Sequence, residues 1–199
     1  MHFKEAGRPG VRVLLGALLV VVVVVVVAAH LAAPRGVAGR ISFLTATCGA
    51  ALFACAALVV RGSDPVRVWL AVGIVASALG DVVWEMYVVA RGEGPDVSFA
   101  DVGWLAAYVG VGAALAILVR RNRARWHESR DVLIDVAIAS VISMTLVWVL
   151  WVTPTMSDRT HPLAVRLVWS AYPVLDAVLV GVLARVLLQR FERSRALIL

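Results

Sequence analysis

Residues 66–90 read VRVWLAVGIVASALGDVVWEMYVVA, an apolar run interrupted by Arg67 near its start and by two acids, Asp81 and Glu85, towards its end. A bilayer core about 30 Å thick is crossed by about 20 apolar residues in a helix, because hydrocarbon leaves unpaired backbone groups nowhere to bond. The run is long enough to cross, and only a helix lets it do so. Each carboxylate costs roughly 2.5–3.5 kcal/mol near a helix centre on insertion scales, so both are expected to turn away from lipid into a bundle of helices.

The same pattern recurs on either side. Apolar stretches of spanning length occupy approximately 13–33, 41–60, 66–90, 102–119, 132–152 and 163–188, joined by short segments rich in Gly, Pro, Arg or Asp. The valine run Val20–Val27 would favour a strand in water but is expected to be helical in lipid. It is too long for a signal-peptide core and no A-x-A cleavage site follows it, so we expect a retained span. With 62% hydrophobic and 16% charged residues and a mean hydropathy of +0.92, the composition is far from that of a water-soluble domain. The expected fold is all-α: a single transmembrane domain over residues 1–199, a polytopic bundle of about six helices.

Orientation follows from basic residues, which resist translocation. Counting alternate segments, the N-terminus, the 61–67 connection, the 120–130 connection and the C-terminal stretch together carry thirteen Lys and Arg, against five in the other set (Arg35, Arg40, Arg91, Arg159, Arg166). Both termini are therefore expected in the cytoplasm. The net charge of +6 is spread between apolar blocks and forms no stripe with interleaved aromatics, which argues against nucleic acid as a partner. The lipid bilayer is the expected partner. The apolar ending Ala196-Leu197-Ile198-Leu199 reads either as the beginning of a seventh helix in a truncated chain or as a frayed tail.

The polar residues inside these spans are the candidates for function. Asp81 and Glu85 lie four apart on one helix face, where two bare carboxylates would repel unless a proton, a cation or an arginine intervenes. Asp176 falls near mid-membrane with Tyr172 one turn away, and Pro173 frees a backbone carbonyl around Trp169, leaving a polar notch. Ser98 and Asp101 have the spacing of an N-cap with its returning carboxylate. Tyr108 lies two turns deeper and can reach a buried acid. Asp135 is expected to snorkel towards the Arg120–Arg130 cluster. Trp84 and Trp169 read as pocket walls or plain packing, whereas Trp69, Trp104, Trp148 and Trp151 read as interfacial anchors. No cofactor or metal is expected: Cys48 and Cys55 form no CxxC, and the four histidines, His2, His30, His127 and His161, form no facing pair. The central expectation is that the acids of separate spans meet in one interior pocket.

Taken in order, LGDVVWEMY (79–87), VSFADVGWLAAY (97–108), LID (133–135) and AYPVLD (171–176) resemble the N-terminal membrane region of actinobacterial diguanylate cyclases and phosphodiesterases with GGDEF and EAL output domains. The matching positions are Gly80, Asp81, Trp84, Ser98, Asp101, Tyr108, Asp135, Tyr172, Pro173 and Asp176. The resemblance implies a signal-input module in a bacterial plasma membrane, coupled in longer proteins to cytoplasmic cyclic-di-GMP domains. Neither a GGDEF-like nor an EAL-like motif occurs here, so no catalytic residue carries over and no turnover is expected of this chain. A transporter or ion pathway using the buried carboxylates is the competing reading. A zinc-dependent intramembrane hydrolase is weaker, since the spans offer no His cluster. A passive anchor or homodimerisation unit would use the small-residue face Gly103, Ala107, Gly110 and Ala114.

Overall fold

The computed structural model describes residues 36–123 and 130–196; the expected span at 13–33 and the side chain of Asp135 lie outside the described residues. Everything regular is helical, with no strand among the described residues. α1 runs Val37–Arg61, α2 Pro65–Arg91, α3 Phe99–Arg123 and α4 Arg130–Val147; a π-helical turn, Trp148–Val152, leads into the short α5, Thr153–Ser157, and α6 runs Leu163–Ala196. Among the described residues, five segments are long and apolar enough to cross a membrane: Val37–Arg61, Pro65–Arg91, Phe99–Arg121, Ala137–Ser157 and Leu163–Val186. This chain is a helical membrane protein.

The distribution of side chains is the reverse of that in a soluble domain. The buried residues are mostly small, including Ala71, Ala78, Ala100, Ala114 and Ala177, whereas Leu52, Val59, Val60 and Val89 are each more than two-thirds exposed. Water would penalise that surface at about 25 cal/mol per Å², and lipid does not. Small residues inside are what membrane helices need, because their attraction comes from close backbone approach and not from hiding oil from water.

The chain divides into two compact units, Met1–Thr47 and Cys48–Leu199. In the first, the described residues are helical from Val37, with the hydroxyls of Ser42 and Thr45 turned back onto the carbonyls of Gly39 and Ile41 at 2.8 Å each. The second holds every feature discussed below.

Within it α2 and α3 form an antiparallel hairpin. Asp64 caps α2 by accepting from the Val66 amide at 3.2 Å, and Pro65 takes the first-turn position where its missing N–H costs nothing. At the far end Gly92, at φ +83°, closes the helix by donating to Val88 O. Arg121, at the end of α3, returns to Asp64 at 2.6 Å. That guanidinium hydrogen bond holds the Asp64 carboxyl below its ordinary pKa.

Glycine sets the spacing of the hairpin. A Cβ at Gly110 would lie 2.6 Å from Gly73 Cα, and one at Gly103 would lie 2.8 Å from both Ala76 O and Gly80 N. The face containing Gly103, Ala107 and Gly110, considered above for dimerisation, is therefore occupied by α2 of the same chain. α6 packs against α4 and α3, with Gly181 placed so that a Cβ would come within 2.9 Å of Ser140 Oγ.

Candidate functional site: an acid–aromatic cluster

The hairpin creates the first polar contact. Gly80 leaves room for Trp104, whose indole would stand 2.7 Å from a Cβ at that position. The ring so admitted donates from Nε1 to Asp81 Oδ1 at 2.9 Å, next door in sequence to Gly80. Asp81 is only 8% exposed, so this donor is what its burial requires. Trp104 is thus an interior ligand of a buried acid, and its reading as an interfacial anchor is corrected: a residue near a helix end can still face its neighbour when a glycine opposite makes space. Trp69, Trp148 and Trp151 are exposed.

The second contact grows from the start of α3. Ser98 Oγ accepts from the Ala100 amide at 3.1 Å while Asp101 Oδ2 accepts from the Ser98 amide at 2.7 Å, the reciprocal cap that the spacing suggested. Its other oxygen, Oδ1, accepts from the Tyr172 hydroxyl at 2.5 Å, which draws α6 onto α3. Deeper on the same two helices the donation runs the other way: Tyr108 Oη donates to Asp176 Oδ1 at 2.8 Å. Each helix thus offers one tyrosine and one aspartate to the other. The rings form a ladder, with centroids 5.7 Å apart for Trp84 and Trp104, 6.5 Å for Trp104 and Tyr172, and 6.1 Å for Tyr172 and Tyr108.

Beside this ladder lies a cavity of about 490 Å³, lined by Trp151, Thr155, Trp169, Tyr172, Pro173 and Asp176. A proline flanks it on each side. On one, Pro154 lacks the N–H that an α-turn would use, and the chain widens into the π turn in which both the amide and the hydroxyl of Thr153 reach Trp148 O. On the other, Pro173 stands inside α6, which runs on through it. Trp169 is held in place by donating to Asp96 O at 3.0 Å and by its contact with the His161 ring, at 4.9 Å between centroids. His161 also stands near two acids, 3.5 Å from Asp158 and 3.9 Å from Asp96. Thr160, which gives Asp158 both its hydroxyl and its amide, holds that carboxyl below its ordinary pKa, aided by His161.

The structure therefore links Asp81, Trp84, Asp101, Tyr108, Tyr172 and Asp176 through hydrogen bonds and ring contacts, but it serves each acid separately. Of the residues singled out from the sequence for a pocket, Trp169, Tyr172, Pro173 and Asp176 line the cavity; Asp81, Trp84 and Tyr108 do not. Glu85 lies one turn beyond Asp81 and is partly buried. Trp151 and Thr155 were missed as cavity walls, and Pro154 was the available signal. Among the described residues no group of three His, Cys, Asp or Glu side chains could hold a metal ion. No family model, curated protein or solved structure matches the chain.

Proposed function

We propose that this chain is a membrane-embedded signal-input module in which the cavity beside Asp176 receives the stimulus and α6 carries the response. The observation that carries the reading is the reciprocal pair of bonds between α3 and α6, Tyr172 to Asp101 and Tyr108 to Asp176. Interhelical hydrogen bonds in membranes average about 0.6 kcal/mol and reach at most about 1.7 kcal/mol, so the pair is strong enough to define one helix arrangement and weak enough to be exchanged. A ligand favouring a second arrangement by about 1.4 kcal/mol would shift the population tenfold. The cavity shares Tyr172 and Asp176 with those bonds, so occupancy and helix position are coupled through common side chains.

α6 is suited to the output role because the helix continues to Ala196, past the apolar span that ends at Val186. Under the charge bias described above, that extension and both termini lie in the cytoplasm of a bacterial cell. The resemblance to GGDEF- and EAL-associated membrane regions supplies the output: cyclic-di-GMP synthesis or breakdown by a domain attached in longer proteins. The test places Asp81→Asn and Asp176→Asn in a longer protein carrying this membrane region and a cyclase domain, with cyclic-di-GMP as the readout. Altered output in correctly inserted variants is expected; output equal to the parent's would overturn the reading.

A further inference from the structure

We propose that the cavity binds a small organic cation, a substituted ammonium ion, with its charge between Asp176 and the aromatic walls. This assignment rests on the reading of the cavity as the input site and names what enters it. Three of the six lining residues are aromatic, Trp151, Trp169 and Tyr172, and one is a carboxylate. An aromatic face attracts a cation through its quadrupole, tryptophan most strongly, and the attraction grows when water is excluded.

Charge balance points the same way. Asp176 is exposed to the cavity although it lies about 20 Å along α6 from Leu163, near the middle of a span. Among the described residues the donor to Asp176 is the neutral Tyr108 hydroxyl, on Oδ1, and no Lys, Arg or His pairs with it. A neutral donor satisfies a lone pair without cancelling a charge, and a carboxylate at that depth calls for a counter-cation. Asp81 and Asp101, by contrast, are buried against protein.

Two of the three aromatic walls are also set before anything binds. Tyr172 is fixed by Asp101, and Trp169 by Asp96 O and His161, so little side-chain freedom remains to be lost on binding. The volume of about 490 Å³ falls in the range of small-molecule sites. It exceeds what a bare alkali ion needs, and a methylated or alkylated ammonium fills more of it.

The experiment is calorimetric titration of the purified full chain in lipid-free detergent with choline, and with 3,3-dimethylbutan-1-ol, which keeps choline's shape but replaces nitrogen by carbon. Saturable choline binding is expected, at least tenfold weaker for the carbon analogue and at least tenfold weaker for Asp176→Asn. The analogue comparison needs no variant, so it stands even if Asp176→Asn fails to fold. Equal affinity for choline and its analogue, displacement of choline by equimolar sodium, or no saturable binding would each overturn the assignment. Repeating the titration in nanodiscs separates two sources of the same chemistry. Choline binding lost in phosphatidylcholine but kept in phosphatidylglycerol assigns the site to a lipid headgroup; binding kept in both assigns it to a free amine. Binding that leaves the output of an attached domain unchanged removes the sensor reading alone, whereas output sensitive to Asp176→Asn without ammonium binding removes this assignment alone.

Discussion

The α2–α3 contact and the α3–α6 contact share a helix but are built from opposite materials. Between α2 and α3, backbone meets backbone: Gly103 and Gly110 leave no room for even one methyl group, and at Gly73 a Cβ would stand a tight 3.0 Å from Ala107 O. Between α3 and α6, the contact is made through long side chains, two tyrosines reaching two aspartates with a cavity alongside. A backbone contact has one good spacing. Side-chain hydrogen bonds can rotate, exchange partners or admit a ligand. The contrast assigns α2–α3 the part of scaffold and α3–α6 the part of moving joint.

The sharpest way to break that contrast is to add bulk. In Gly110→Val the new side chain would meet Gly73 backbone atoms, which cannot swing aside, so a loss of about 3 kcal/mol or more is expected in detergent unfolding. In Gly112→Val, two residues on and about 200° round the helix, the Cβ would meet only Leu179, at an ordinary 3.8 Å, and the variant should unfold near wild type. Equal stability of the two variants would erase the distinction.

A smaller effect is expected at the joint. Tyr172→Phe keeps the ring in the ladder and removes only the hydroxyl donated to Asp101, so about 0.6 kcal/mol, and at most about 1.7 kcal/mol, should be lost in the same unfolding assay. Hydrogen exchange should rise in the first turns of α3 and α6 and not in the middle of α2. Protection lost evenly over all three helices would mean that the two contacts form one rigid unit.

The smallest effect concerns the hairpin's open end. The Asp64 pKa is lowered by Arg121, so its contribution is present above the ordinary value of 3.8 and disappears as pH falls through the lower folded value. Arg121→Ala should therefore unfold slightly below wild type at neutral pH, and the two melting curves should converge in acid below pH 3.8. A gap that persists at the acid end would assign Arg121's influence to packing.

Hydropathy was enough to place the helices, because lipid imposes length and apolarity directly on the chain: spans read at 66–90 and 163–188 correspond to helices Pro65–Arg91 and Leu163–Ala196. Local polar geometry was equally readable, since the Ser98–Asp101 cap depends on residues three apart. What could not be read was pairing across distance. Tyr172 and Asp101 are 71 positions apart, and nothing in either neighbourhood states that α6 lies on α3. Trp104 was misread for a related reason: depth alone suggested an anchor, while its face is shared with Asp101 and Tyr108 at helical spacing. The expectation of one common pocket for the acids came from counting costs without knowing the donors, and an indole and two phenols each bond a separate acid.

The π turn at Trp148–Val152 fixes more than a local width. A wide turn holds one residue beyond the α-helical count, and each residue of an α-helix advances the azimuth by about 100°. Trp151 and Thr155 therefore look towards α6 by virtue of chain length as much as of side-chain type. Deleting a single residue there would restore ordinary winding and turn the following segment about a quarter of the way round, so that other residues of the same segment would form the wall.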